Sequence, residues 1–133
     1  MIDAFVLYAD GASRGNPGPA SIGAVLYDPT GAVVAEVSET IGETTNNVAE
    51  YRAFIAGLEA AVEMGVERLQ VRLDSMLLVR QIRGEYRVKA PGLKPLHRRA
   101  MALADRFPAF SIGHVRREEN TVADALANAA LDA

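Results

Sequence analysis

The chain contains neither cysteine nor tryptophan. The lack of cysteine excludes disulfide bonds, thiolate metal sites and cysteine nucleophiles, and it is compatible with a reducing compartment. No apolar run reaches the ~18 residues of a membrane-spanning helix. The first residues also lack the basic and then hydrophobic regions of a secretory signal. We therefore expect a cytoplasmic protein with no membrane partner.

The chain has no strong excess of charge of either sign. It carries 14 lysines and arginines against 17 aspartates and glutamates, a net charge of −3, so composition alone does not predict a nucleic-acid-binding protein. Basic residues nevertheless crowd the span 80–99, where Glu85 is the only acid. This basic cluster is either a phosphate-binding surface or a solvated helix face. Its members are Arg80, Arg83, Arg87, Lys89, Lys94, His97, Arg98 and Arg99.

The chain of 133 residues is predicted to form one domain, 1–133. Apolar runs and alternating patterns predict strands, whereas the spacing of Tyr51, Phe54 and Leu58 is that of an amphipathic helix. The order βββαβααβα predicts an α/β domain on a mixed sheet, whose first three strands form an antiparallel meander. Strands are predicted at 3–10, 20–28, 32–41, 68–73 and 109–116, and helices at 47–64, from the Asp74-Ser75 cap to about 83, at 93–107 and at 121–131.

Four acids are predicted to converge at one edge of this sheet. Asp10 ends the first apolar run and Asp74 ends the fourth strand. A right-handed crossover places strand four parallel to strand one, so these strand ends should be close. Glu50 lies on the helix stripe that faces the sheet. Asp124 lies near the start of the last helix, which falls on the same edge if strand five runs parallel to strand four.

Each acid also has a purely structural interpretation. Asp10-Gly11 is a common turn pair. Glu50 could close a capping box with Asn47, and either Asp74 or Asp124 suits a helix N-terminus. Four carboxylates on one edge, however, repel each other strongly unless cations balance them. Oxygen-only ligands favour Mg²⁺ or Mn²⁺, and two such ions about 4 Å apart can hydrolyse a phosphodiester.

The chain also closely resembles type 1 ribonuclease H over essentially its whole length. The resemblance rests on four segments in the family's order and spacing: D-G-A-S-R-G-N-P-G (10–18), T-N-N-V-A-E-Y (45–51), D-S (74–75) and E-N-T-V-A-D-A-L-A-N (119–128). It implies the ribonuclease H fold with sheet order 3-2-1-4-5. It also implies a two-metal-ion endonuclease that cuts the RNA strand of RNA/DNA hybrids and leaves 5′-phosphate and 3′-hydroxyl ends.

The resemblance assigns a role to each of the four acids. Asp10 would bridge two Mg²⁺ ions, Asp124 would bind the water-activating ion, and Glu50 and Asp74 would bind the other ion. Mn²⁺ is the alternative metal.

Contacts with the hybrid are implied for two segments. The resemblance points to Gly11, Ser13 and Asn16 on the glycine-rich loop after Asp10, and to Glu50 and two neighbours on the helix. The glycines would allow close approach to a minor groove. These helix neighbours are Asn46 and Asn47, for which helix capping is the alternative, and Thr45 matches a position that helps to hold a DNA-strand phosphate.

The chain departs from the family pattern before the last helix. Well-studied members carry a mobile loop with a histidine there, but the segment 115–120 is too short for that loop. His114 has the matching spacing from Asn120, yet it alternates with Ile112 in the strand pattern. We therefore favour a structural or partly buried role for His114 over catalysis. Arg116 or Arg117 could reach the scissile region instead.

The family's basic helical protrusion is also missing. The span 84–92 is short and Met76 replaces a polar residue found in some relatives, so substrate affinity should depend on the basic cluster. An inactive binding module, another nuclease or transposase of the superfamily, and a purely structural domain are the competing interpretations. We expect a monomer. Short forms of this kind occur both as free-standing proteins and within larger chains, and the sequence is compatible with either.

Overall fold

A computed structural model describes residues 3–133. Within these residues, five strands and four α-helices follow the predicted order, and a short 3₁₀ helix, Arg117–Glu119, precedes the last helix. The strands are β1 (Phe5–Ser13), β2 (Gly18–Tyr27), β3 (Val33–Thr44), β4 (Arg68–Leu73) and β5 (Ala109–His114). The helices are α1 (Asn46–Glu63), α2 (Met76–Ile82), α3 (Lys94–Ala104) and α4 (Thr121–Asp132).

The sheet has the order β3-β2-β1-β4-β5, which confirms the predicted topology. β1, β2 and β3 pair antiparallel, whereas β4 lies parallel to both β1 and β5. Helix α1 makes the crossover from β3 to β4, as expected for two parallel strands that no short turn can join. The predicted proximity of the first and fourth strands is therefore confirmed.

Helices cover the two faces of the sheet differently. α1 buries the apolar stripe Tyr51, Phe54 and Leu58 on one face. On the other face, α4 packs against β1, β2 and β3 through small residues. A Cβ atom at Gly23 would lie 2.2 Å from the carbonyl oxygen of Ala123, so this strand and α4 are in backbone contact. The small side chains of the alanine-rich helix α4 allow its backbone to approach the sheet this closely.

The first strand differs from the prediction in a way that matters for the site. Asp10 was expected at the end of the strand, but β1 continues to Ser13 because β2 keeps pairing with it, with Asp10 opposite Gly23. The parallel pairing with β4, in contrast, stops at Ala9 and Leu73. Asp10 is therefore the first residue beyond the point where β1 and β4 separate, and Gly11 and Ser13 belong to the strand rather than to a loop.

The helix caps also differ in part from the predicted ones. Thr45 caps α1, since its side chain accepts a hydrogen bond from the Val48 amide. Ser75 caps α2 in the same way by accepting from Leu78. Asn120 occupies the N-cap position of α4 but makes no side-chain cap bond. Across residues 3–133, the helices are too short or too polar to span a membrane.

Candidate metal centre and active site

The four predicted acids line one cavity of about 420 Å³. Each comes from a different element: Asp10 from β1, Glu50 from the start of α1, Asp74 from the residue after β4, and Asp124 from the first turn of α4. Carboxylate oxygens of the first three lie within 4.8 Å of one another. Asp124 is outside this triplet, but its carboxyl lies in the same cavity and contributes to raising the pKa of Asp10. The predicted convergence is therefore observed.

Glu50 reaches the cavity by contacting the neighbouring strand. Its Oε1 accepts a hydrogen bond of 2.7 Å from the amide of Gly11, so the capping box with Asn47 does not form. A Cβ atom at Gly11 would lie 2.2 Å from the carbonyl carbon of Ala49. Glycine is required here because α1 and β1 touch through their backbones, and this contact holds Glu50 beside Asp10.

Burial and mutual repulsion dominate the electrostatics of the cavity. Burial raises the pKa of Asp10, and the nearby charges of Glu50 and Asp74 raise it further. Burial likewise raises the pKa of Glu50 to about 7, against the hydrogen bond from Gly11 and the charge of Arg117. The pKa of Asp74 is also raised, chiefly by burial. Without a cation, ionising these groups together is unfavourable.

The donor set fits a hard divalent ion. Within residues 3–133, no lysine, arginine or histidine forms an ion pair with any of the four acids. The available ligand atoms are carboxylate oxygens, which suit Mg²⁺ and Mn²⁺ rather than softer metals. The cluster is therefore a candidate metal centre whose missing charge a bound cation would supply.

Asn120 holds the backbone next to the cavity in place, a role that the sequence interpretation missed. Its side chain is almost fully buried, and its Nδ2 donates a hydrogen bond of 3.0 Å to the carbonyl oxygen of Ala9. The same amide lowers the pKa of Asp74, against the net upward shift. The Oδ1 atom has no hydrogen-bond partner within residues 3–133. Asn120 thus connects the start of α4 to the strand residue before Asp10.

The predicted substrate-binding residues divide into two sets. Gly11, Ser13 and Asn46 line the acidic cavity. Asn16 does not line it, but its Oδ1 accepts a hydrogen bond from the Asn46 amide and so joins the β1–β2 turn to α1. Two further residues lie outside the cavity wall: Thr45, which caps α1, and Asn47, which is exposed beside it.

The three accessory candidates lie in different places. Arg117 lines the acidic cavity, whereas Arg116 is exposed and pairs with Glu119. His114 is exposed at the end of β5 and lines a separate hollow with Arg72 and other residues. The expectation of a partly buried His114 is therefore wrong, because β5 is an edge strand with one side open to solvent.

The cavity also has lining residues that the sequence interpretation did not select. Asn128 lies one helical turn after Asp124, and its Nδ2 donates to the Asp124 carbonyl oxygen. The i, i+4 spacing on α4 is the signal that could have identified it. Arg14 and Ser75 complete the wall, although Arg14 is engaged with Asp132.

The basic cluster is only partly available for binding. Arg99 pairs with Glu59, Arg83 donates to the carbonyl oxygen of Ile112, and Arg80 stacks over Tyr86. Other members line an open groove of about 610 Å³ between α2 and α3, namely Arg87, Lys94, His97 and Arg98.

The comparisons with known proteins agree with this geometry. Residues 8–130 match the family model described as "Reverse transcriptase-like". Ribonuclease HI of Halobacterium salinarum is 50% identical over 125 residues, which are 94% of this chain and 63% of that protein. The solved N-terminal RNase H domain of Rv2228c from Mycobacterium tuberculosis superposes with a TM-score of 0.94 at 48% identity, covering 97% of this chain and 99% of that one. The chain belongs to the type 1 ribonuclease H family.

Another member of this ribonuclease H family has been solved with a nucleic acid. LC11-RNase H1 in complex with an RNA/DNA hybrid superposes with a TM-score of 0.90 at 43% identity, covering 96% of each chain. The present chain spans less than two thirds of its first curated relatives: 63% of the Halobacterium protein and 35% of mycobacterial proteins that are 50% identical to it.

Proposed function

We propose that this domain hydrolyses the RNA strand of RNA/DNA hybrids with two Mg²⁺ ions and produces 5′-phosphate and 3′-hydroxyl ends. The observation that carries the proposal is the convergence of four carboxylates, three of them with ligand atoms within 4.8 Å, with no cationic side chain paired to them within residues 3–133. Family membership and the hybrid complex of LC11-RNase H1 support the choice of substrate.

The four acids have separate tasks in this proposal. Asp10, which is buried, would be a ligand of both ions. Asp124 would hold the ion on the side of α4, and Glu50 and Asp74 would hold the other ion. Divalent ions held by these carboxylates would lower the pKa of a bound water, so that its hydroxide form can attack the phosphodiester, and would stabilise the leaving oxygen. The protein contributes the arrangement, since Gly11 anchors Glu50 and Asn120 anchors α4 to β1.

Selection of RNA would come from the rim of the cavity. Gly11, Ser13 and Asn46 lie in its wall, where backbone and side-chain polar groups can meet the wide minor groove of the hybrid and its 2′-hydroxyls. Asn16 positions Asn46 rather than lining the cavity. Because water is the nucleophile, the 2′-hydroxyl is recognised and is not consumed.

The groove of the basic cluster is a suitable contact for the DNA strand. Helix α2 begins beside Asp74 and has seven residues, so it extends about 10 Å toward this groove. Arg87, Lys94 and Arg98 line the groove without an ion pair among residues 3–133. Phosphate contacts make affinity fall with added salt, so a salt-independent Michaelis constant would contradict this part of the proposal.

A cleavage assay with three substrates tests the proposed function. The protein is incubated with Mg²⁺ and labelled RNA/DNA hybrid, single-stranded RNA or duplex DNA, and the new ends are analysed. We expect cleavage confined to the RNA of the hybrid, with 5′-phosphate on the products. Tight binding without cleavage in Mg²⁺ or Mn²⁺ would instead indicate an inactive binding module.

We also propose that the domain is a monomer. Its exposed large apolar side chains are spread over several elements, including Val33 on β3, Met64 after α1 and Val122 on α4, and only Met76 and Leu77 on α2 are adjacent in sequence. Scattered exposed apolar residues are ordinary for a monomer. Light scattering should give a mass near 14.2 kDa for the 133-residue chain, and a mass of twice that value would contradict the proposal.

A further inference from the structure

A second cavity, of about 500 Å³, lies on the sheet face that carries α4. α4 packs on β1, β2 and β3, and the polar side chains of β4 beside it form part of the cavity wall. We call this hollow the Arg72 cavity. Its wall includes Val6, Tyr8, Tyr27, Gln70, Arg72 and Val122.

Arg72 brings a positive charge into this wall and has no negative partner among residues 3–133. Its guanidinium is half-buried and donates to the hydroxyl of Tyr8 (3.3 Å) and to Oε1 of Gln70 (3.2 Å), both of which are neutral. No carboxylate of residues 3–133 lies within 4.0 Å of it. A guanidinium has five N–H donors in a fork that matches phosphate or carboxylate oxygens, so three donors remain for a ligand.

The two acids in the same wall are engaged elsewhere. Oδ1 of Asp28 accepts hydrogen bonds from the amide and hydroxyl of Thr30 and from the amide of Ala32, all within its own turn. Glu119 accepts from the backbone and the side chain of Arg116. Neither carboxylate therefore neutralises Arg72, and the charge remains available to an anion that enters the cavity.

The rest of the wall suits a flat apolar group. Tyr8 and Tyr27 meet edge to face with ring centroids 6.0 Å apart, and Val6 and Pro29 continue this surface. Val122, in the first turn of α4, lines the cavity and is 44% exposed. A volume of this size, with an apolar lining and a few polar groups, is typical of a small-molecule site.

We propose that the Arg72 cavity binds a phosphorylated aromatic compound of mononucleotide size. The phosphate would bind Arg72, and the ring would lie against Tyr8 and Tyr27. The two cavities share no lining residue: Asn120 and Ala123 line this one, whereas Asp124 lines the acidic one. The acidic cavity repels phosphate in the absence of a metal, so the two sites can be told apart. The proposal does not depend on the proposed hydrolytic function.

Nuclear magnetic resonance of the ¹⁵N-labelled protein in EDTA tests the proposal. Adenosine 5′-monophosphate is the probe, and adenosine and inorganic phosphate are each titrated alone. We expect saturable shifts of the amides of Tyr8, Gly31, Gln70 and Val122 with the monophosphate, and binding at least about tenfold weaker for either fragment. Shifts that map elsewhere, or equal affinity for a fragment, would overturn the proposal.

Two variants, each of which removes one positive charge, test whether Arg72 binds the phosphate. Arg72→Gln should weaken binding of the monophosphate at least about tenfold, whereas Arg68→Gln, on the same strand and exposed outside the cavity, should leave it unchanged. Equal affinities of the two variants would overturn the role of Arg72. Val122→Trp, which fills the cavity from an exposed position, should also abolish binding and covers the case in which Arg72→Gln fails to fold.

Discussion

The acidic cavity and the Arg72 cavity are both built along the two central strands β1 and β4, and they share no lining residue. Tyr8 lines one and Asp10 lines the other, two residues further along β1. One gathers four carboxylates that form no ion pair, although Arg117 lies in its wall, and the other holds a guanidinium that forms no ion pair. Both statements hold for residues 3–133, and both leave charge for a ligand to satisfy.

The difference between the cavities follows from strand pairing. Up to Ala9 and Leu73, β1 and β4 are hydrogen-bonded to each other, so there is no gap between the two strands. A ligand can approach them there only from one face of the sheet. Beyond that point the strands separate, and groups from α1 on one face and α4 on the other meet in the gap. Glu50 and Asp124 can reach Asp10 only there. The end of the parallel pairing therefore decides where a metal centre can form.

Asp10→Asn should have the largest effect on hydrolysis, and its effect should be confined to the acidic cavity. It removes the central negative ligand, and loss of several kcal/mol of transition-state stabilisation reduces hydrolysis by about 10³-fold or more. The metal-free fold should become more stable, because a buried and repelled carboxylate has been neutralised. Cleavage assays and urea unfolding in EDTA measure the two effects. Substantial activity in this variant would contradict the metal assignment.

Gly23→Ala should disturb both cavities together. The new Cβ would overlap the backbone of α4 at Ala123, so the helix that carries Asp124 and Asn120 must move. We expect a loss of about 1–3 kcal/mol in the free energy of unfolding and at least about tenfold in hydrolysis. Gly113→Ala on β5 is the control, because its Cβ would meet no atom closer than 4.0 Å. Equal behaviour of the two variants would show that the contact with α4 is unimportant.

Asn120→Ala tests the buried side chain that connects the start of α4 to β1. The variant leaves the Ala9 carbonyl oxygen without its donor, which should cost about 1–3 kcal/mol of unfolding free energy. Calorimetric titration with Mg²⁺ should show weaker binding, since Asp10 and Asp74 lose their common support. Ser38→Ala removes a similar bond to α4 at an exposed position and should change stability by less than about 0.5 kcal/mol. Unchanged Mg²⁺ affinity in Asn120→Ala would limit its role to stability.

Arg117→Ala should reduce turnover about tenfold while Arg116→Ala has little effect. Arg117 lines the acidic cavity and its charge acts on Glu50 and Asp74, where a cation can stabilise developing negative charge. Arg116 points into an ion pair with Glu119. Single-turnover cleavage of the hybrid distinguishes the two. If neither substitution changes the rate, an accessory role for these arginines is excluded.

The smallest expected effect is a dependence of stability on pH that comes from the carboxyl groups of the acidic cavity. The folded-state pKa of Asp10 and that of Glu50, which is raised to about 7, lie above the unfolded values. The folded state therefore holds protons that the unfolded state releases, and metal-free stability falls as pH rises from about 4 toward these raised values. Unfolding in EDTA at about pH 5 and about pH 8 should differ by at least about 1 kcal/mol. Added Mg²⁺ or Asp10→Asn should reduce this difference, and a persistent slope would assign it to other groups.

Much of the fold could be predicted from the sequence because it depends on local pattern. The period-2 runs, the helical spacing of Tyr51, Phe54 and Leu58, and the crossover rule together predicted five strands, four helices and their order. The four acids could be selected because each lies at or near the boundary of an element on the same edge. Their grouping required only topology.

Other features could not be predicted because they depend on contacts between distant residues. Glu50 was compatible with a capping box until the Gly11 amide was seen to donate to it across 39 positions of sequence. Asn120 has the pattern of a cap but bonds to Ala9. His114 alternated like a half-buried residue, yet its strand is at the edge of the sheet. Arg72 has the pattern of an ordinary strand arginine.

The amino-acid sequence by itself indicated the family and the full sheet order through four segments that resemble type 1 ribonuclease H. It also identified the elements and the four acids at their boundaries, since periodicity and residue type are local properties. The tertiary structure decided that β1 continues past Asp10 beside β2 while it leaves β4. It also decided which polar groups remain without partners. The physical reason is that burial and neighbouring groups arise only when elements far apart in the chain are packed together. They raise the pKa of Asp10, and they give Arg72 a neutral partner in Tyr8 but no counter-ion among residues 3–133.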